Sequence, residues 1–202
     1  MRKVLFLAGW ALTMVLAGCS DQPQAETKKF SEPAHPVTGQ TALYRMYQVA
    51  RSWSPDVQVL RMNSMHLSEV AEEHGRAGAW QASFVSDSKS AARTYTYSVV
   101  EAEPNIHQGV FPGQTESWSG PGGDTKPFVI AAVKIDTDAA YKTAVEHATG
   151  APKNPPIISF LLEKPSKFGD AAWRVIWGES LGTAGVSVYV DATLGTYLET
   201  LH

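Results

Sequence analysis

A chain of 202 residues, 44% hydrophobic and holding six Trp, seven Tyr and seven Phe, has apolar surface for one domain or two small ones. Seventeen basic residues against twenty acidic ones give a net charge of −3, without the clustered basic footprint that nucleic acid binding requires. The single cysteine, Cys19, excludes an intramolecular disulfide and any thiolate-rich metal site.

The chain begins with Arg2 and Lys3, followed by an apolar run from Val4 to Gly18 that ends in Leu16-Ala17-Gly18-Cys19. A positive start and a short apolar core are the parts of an export signal. The run is too short to span a bilayer, which takes roughly 20 apolar residues. These residues resemble the bacterial lipoprotein signal with its Leu-Ala-Gly-Cys lipobox. The resemblance implies cleavage between Gly18 and Cys19 and acylation of Cys19, a membrane partner reached through the lipid, and a cell-envelope location facing the periplasm. Ser20 after the cysteine implies onward transport to the outer membrane in Gram-negative cells. Loss of residues 1–18, which carry two basic residues and no acid, leaves 184 residues and moves the net charge from −3 to −5.

Residues 19–37 are polar and carry Pro23, Pro33 and Pro36, the composition of a flexible tether. From residue 38 the hydrophobic pattern turns helical: Ala42, Leu43, Met46, Tyr47 and Ala50 share one stripe, with Thr41 as the expected N-cap and Pro55 as the stop. Strands are expected over Val57–Met65, over the alternating Trp80, Ala82 and Phe84, and over Thr94–Val100. The connection from Leu67 to Gly78 is expected to hold a helical turn starting at Ser68. The Gly- and Pro-rich stretch that starts at Trp118 reads as a linker over 118–134 between unit 1 (38–117) and unit 2 (135–202).

Unit 2 repeats the pattern. Ala140, Tyr141, Ala144, Val145 and Ala148 follow the first stripe at a constant offset of 98, with Thr137 or Asp138 as expected cap. Strands follow at Ile157–Leu162, at Trp173, Val175 and Trp177, at Val186–Asp191, and finally around Tyr197, Leu198 and Leu201. The Trp80-to-Trp173 offset is 93. Helix and antiparallel meander, stated twice, give an α+β fold of two similar units, each a short helix on three or four strands. The Ala139–Ala148 helix, Trp173-Arg174-Val175-Ile176-Trp177 and Val186–Gly195 make unit 2 resemble a PepSY domain, and the whole a tandem PepSY-like lipoprotein. Unit 1 matches loosely, since Val100-Glu101-Ala102-Glu103-Pro104 stands where unit 2 has Asp191-Ala192-Thr193-Leu194-Gly195. The resemblance implies an extracytoplasmic module that restrains or assists a peptidase and has no catalytic apparatus.

Candidate chemistry is sparse. SxxK with KTG, HExxH and the phosphate-binding loop are absent from the sequence, and Gly178-Glu179-Ser180-Leu181-Gly182, which matches GxSxG in letters, lies between two expected strands rather than at the strand-to-helix turn of a nucleophile elbow. His66 and His74, with Glu72 and Glu73, are the nearest approach to a metal set, and they read as a solvated acidic loop rather than a site. Asp136 and Asp138 read as helix-start residues. No catalytic residue, metal or cofactor is assigned. Trp118, in the Gly/Pro-rich loop, is a candidate partner contact or else a plug over the seam between units. The expectation is a lipid-anchored protein that binds an envelope protein or peptide at a sheet face or edge. A cleft between the units would suit an envelope hydrolase or a small-molecule carrier instead.

Overall fold

Alternating apolar residues and two Ala-rich stripes build a one-sided sheet with helices laid on the apolar face. The computed structural model describes residues 34–202, apart from residues 72, 103, 154 and 156, so the tether up to residue 33 and the Gly18–Cys19 site lie outside the described residues. In chain order the elements are β1 (Val37–Thr38), α1 (Gly39–Trp53), β2 (Gln58–Met65), β3 (Arg76–Ala77), β4 (Ala79–Ser86) and β5 (Ala91–Ser98). Then come β6 (Gly109–Ser117), a 3-10 turn (Ile130–Ala132), α2 (Thr137–His147), β7 (Ser159–Glu163), β8 (Ala172–Ile176), β9 (Ser187–Asp191) and β10 (Tyr197–Leu201).

Eight of the strands form one sheet in the order β10-β9-β8-β7-β2-β4-β5-β6, every pair antiparallel, while β1 and β3 pair separately. The strands expected to make two meanders are thus joined through β2 and β7, where Met62 faces Leu162. Read outward from that junction, both halves run through four strands in sequence order. Both helices cover the same face, over one core that includes Leu43, Met46, Met62, Trp80, Phe84, Leu162, Trp173 and Val188. All the described residues belong to one compact unit, which contains this core entirely.

The two halves touch most closely where the helices start. Gly39 N–H donates to Thr137 Oγ1 (2.9 Å), and Gln40 N–H to Asp136 Oδ1 (2.9 Å). A Cβ on Gly39 would come within 2.7 Å of both Thr137 and the Trp173 ring, so this crossing accepts only glycine without rearrangement. Beneath it the Trp80 and Trp173 rings meet edge to face at 6.5 Å. Each indole N–H donates to the carbonyl two residues before its own half's helix: Trp80 to Val37 (3.1 Å), Trp173 to Ile135 (2.8 Å). Val37 and Ile135 are 98 apart, the same offset as the helix stripes.

Several local expectations are corrected. α1 starts at Gly39, two residues before Thr41, so the first residue outside it is Thr38. The Thr38 side chain makes no cap bond and instead donates to Thr41 Oγ1 (3.0 Å). The α2 cap is Asp136, which accepts from Thr137 N–H (2.7 Å), because Thr137 Oγ1 is engaged with Gly39 and the Gly75 carbonyl. The connection after β2 forms a turn at Ser68, with Val70 N–H bonded to Leu67 O (3.3 Å), in place of a helical turn. Val37, expected at the end of the tether, is pinned in β1 opposite Ala77. β6 is a strand beyond those expected, and it carries Pro112 and Gly113, which central strands disfavour. It survives as an edge strand, where Pro needs no partner on its open side, with a register shift opposite Arg93 and Tyr95. The stretch 118–134 is bonded along its length, to Ser90 from Trp118 N, to Lys164 from Lys126 N and to Val59 from both backbone groups of Phe128.

The α1 exit is tied by a carboxylate. Asp56 accepts from Ser54 Oγ (2.6 Å), Ser86 Oγ (2.7 Å) and Ser88 N–H (2.9 Å), which together hold its carboxyl well below the usual range, Ser54 contributing most. Because the folded-state pKa is depressed, this contribution is present above the unfolded carboxylate's value near about pH 4 and fades as pH falls below it. Asp56→Asn is therefore expected to lower the urea midpoint at neutral pH, with the gap to wild type closing on acidification from about pH 5 toward about pH 2. A constant gap would show that the carboxylate charge is not responsible.

Two glycines allow a second comparison. Gly75 (φ +81°) and Gly109 (φ +86°) are both left-handed, but a Cβ on Gly75 would sit 2.4 Å from the Asp138 backbone, whereas Gly109 faces open space. Gly109→Ala is expected to cost about 1–2 kcal/mol from backbone conformation alone. Gly75→Ala should cost clearly more, as read by urea unfolding, because it also pushes β3's approach away from α2.

Candidate functional site

Three features of the fold present groups that packing does not use up. The first is a trough flanking α2. The second stripe was expected to face the core as a whole, but only its Ala140 and Ala144 do so fully. Tyr141, Val145 and Ala148, at one helical turn's spacing, line a cavity of about 570 Å³ instead. The cause is side-chain size: the small alanines let α2 settle on β8 and β9, and the larger residues stay at its flank. The rest of the lining comes from the segment after the helix, with Lys153 and Ile158, from Trp177 after β8, and from Glu73 and His74 before β3. Val145 keeps 49% of its surface exposed inside this concavity.

His74 and Glu73, singled out with His66 and Glu72, therefore fall at the mouth of this trough. The His74 ring stacks on Tyr141 (4.8 Å between centroids, 13° between planes), and Glu73 faces Arg76 at 3.7 Å. Glu72 lies outside the described residues. Among the described residues no group of three or more His, Cys, Asp or Glu is placed to hold a metal ion. Burial pushes the Tyr141 hydroxyl above its ordinary pKa, so it stays a neutral donor in this setting. Where the two halves themselves meet, Gly39, Thr137, Trp80 and Trp173 fill the space, and none of the four lines the trough.

The second feature is the pair of sheet edges. β6 and β10 each pair on one side only. Along β6 the burial declines toward solvent, and Phe111 is 51% exposed with the His107 ring tilted against it at 4.6 Å. His107 Nδ1 also meets Glu101 Oε1 at 2.7 Å, and Glu101 Oε2 accepts Gln108 N–H, which draws the Glu101 carboxyl below its usual value. The corresponding corner of the other half is the Asp191 turn. There Asp191 Oδ1 accepts from Thr193 and Leu194 N–H (2.7 and 2.8 Å), and Gly195 takes φ +75°.

The third feature is the sheet face away from the helices, and it differs between halves. On the β2–β4–β5 side it is polar and half open, with Ser83 and Thr94 sharing a hydroxyl bond of 3.0 Å. On the β7–β8–β9 side it is sealed around Tyr189. Lys167 Nζ and Arg174 Cζ each lie 5.0 Å from that ring, Phe168 packs edge-on at 5.2 Å, and the hydroxyl donates to Glu163 (2.8 Å). Burial first, and the Glu163 carboxylate second, push the Tyr189 phenol up to about 12.

Trp118 lies where β6 ends. Its backbone N–H donates to Ser90 O, and its half-buried ring lines a small hollow of about 240 Å³ with Leu60, Arg61 and Thr125. The indole N–H is buried without a hydrogen-bond partner among the described residues. Trp118→Phe keeps the ring surface and removes an unpaired donor, so it should cost less than about 0.5 kcal/mol and is allowed to stabilise. Trp118→Ala should cost about 1–3 kcal/mol from lost burial. A comparable loss for both, in urea unfolding, would mean that the donor has a partner.

No family model matches this sequence, and no curated protein matches it. Among solved structures the chain is similar to a crystal structure from Clostridium difficile 630 described as a "putative lipoprotein", with a TM-score of 0.49 and 10% sequence identity, over 85% of this chain and 95% of that one.

Proposed function

We propose that this chain is a lipid-anchored, periplasm-facing envelope protein that binds another envelope protein or peptide and performs no catalysis. The anchor rests on Leu16-Ala17-Gly18-Cys19 and the lone thiol. A diacylated cysteine gives the stable attachment that a single chain does not. Among the described residues no helix is long and apolar enough to cross a membrane.

The observation that carries the binding role is the outer edge of β6. An eight-stranded sheet that stops at an unpaired strand offers a row of backbone N–H and C=O groups to an incoming extended segment. Phe111 marks the usable part of that edge, because Pro112 and the shift near Gly113 interrupt it beyond. The exposed ring supplies apolar contact beside the new backbone bonds. The helix-plus-four-strands plan, repeated with matching indole–carbonyl bonds, supports a tandem PepSY-like ancestry and makes a peptidase one such partner.

Two measurements test this. A photo-crosslinking side chain at Phe111 in living cells is expected to capture a discrete envelope protein, while the same group at exposed Arg51 on α1 captures none; capture equal at both positions, or none at Phe111, removes the edge from the proposal. Cys19→Ser is expected to leave the membrane fraction and to lose the acyl mass of the native product. Unchanged fractionation would remove the anchor.

A further inference from the structure

We infer that the trough beside α2 binds an amphiphilic anion, a carboxylate or phosphate head on an apolar chain, with the chain on Val145, Ile158 and Trp177 and the head at Lys153. This site is independent of the partner proposed at β6. The first reason is leftover apolar surface. α2 already meets the sheet through Ala140 and Ala144, yet it keeps Val145 about half exposed in a concavity that Trp177 also lines. A volume of about 570 Å³ lies in the range of small-molecule sites, roughly 300–1,000 Å³.

The second reason is charge. Of the charged groups lining the trough, Glu73 already faces Arg76 at 3.7 Å. Lys153 has no carboxylate within 4.0 Å among the described residues. An anionic head would supply the missing partner, and a cationic head would meet a like charge. The third reason is a spare donor: Tyr141 lines the trough, its hydroxyl makes no hydrogen bond among the described residues, and its ring stacks on His74. A neutral phenol and an ammonium among aliphatic and indole lining match a head-and-chain ligand better than a wholly polar or wholly apolar one.

The test uses residues 32–202, which carry the whole described core, and isothermal titration with four probes at submicellar concentration: decanoate, decyl phosphate, decanol and decylammonium. Saturable binding at a single site is expected for at least one of the two anions, with decanol and decylammonium weaker by roughly tenfold or more. Lys153→Glu should weaken the anions by roughly tenfold, and Val145→Gln should weaken anions and decanol alike by severalfold. Both side chains are exposed, so the thermal midpoint should stay put in each variant. Tighter decanoate points to free acids or peptide termini as the source, and tighter decyl phosphate to phospholipid heads. Three results would each overturn the inference: no saturable binding of either anion, decylammonium binding as tightly as the anions, or affinity unmoved by both substitutions. Binding to anionic phospholipid vesicles without binding of any monomeric probe would also overturn it, since surface attraction would then suffice.

Discussion

The close approach of two helix starts over a pair of edge-to-face tryptophans is the constraint on which the rest of this fold depends. Gly39 leaves room for the Thr137 side chain and the Trp173 ring in the same place, and the Gly39 and Gln40 N–H groups find acceptors on Thr137 and Asp136 of the other half. Backbone donors at a helix start have no partner inside the helix and must find one elsewhere. Here the second half supplies acceptors to the start of α1, while the Thr137 N–H uses Asp136 of its own half. The same contact brings β2 beside β7, so that Met62 and Leu162 continue one buried row from Ala82 to Trp173. A bulkier residue at position 39 would separate the helices and thereby strain the pairing at the centre of the sheet.

Around this junction the halves share a plan and differ in what they place on it. α1 brings Leu43 and Met46 into the core, whereas at the matching positions α2 has Tyr141, which stays at its flank, and the small Ala144. Small residues let α2 approach the sheet closely and leave its larger side chains at the flank, and this produces the trough. The opposite face diverges in the same way. Tyr189, held between Lys167 and Arg174, closes it over one half, while the other half keeps hydroxyl and amide side chains half open. Aromatic rings flanked by cations gain from both burial and the charge–quadrupole attraction, so that region is suited to rigidity rather than exchange.

The proposed membrane tether and a sheet open at its edge fit together physically. An anchored protein meets partners confined to the same surface, and an edge strand recognises an extended segment mainly through its backbone, so modest side-chain specificity is enough. The devices along β6 limit that reach. Pro112 removes a donor, and the irregularity at Gly113 breaks the ladder, which protects the chain from indiscriminate pairing while leaving the stretch beside Phe111 usable.

The sequence by itself determined the α+β class, both helices, most of the strands and the burial of Trp80, Trp173 and Trp177, because period-two and period-3.6 patterns record which side of each element faces the core. The 98-residue offset of the helix stripes reappears between Val37 and Ile135, the two indole acceptors, and Asp191 with Gly195 marked the last turn. Tertiary structure alone decided that these strands form one sheet, since strand pairing across a hundred residues leaves no local trace. It also made an edge strand of Gly109–Ser117, against its Pro and Gly, because an outer strand needs bonds on one side only. The trough was invisible for the same reason. His74, Tyr141, Lys153 and Trp177 are distant in sequence, and their meeting follows from how closely two alanines allow a helix to approach a sheet.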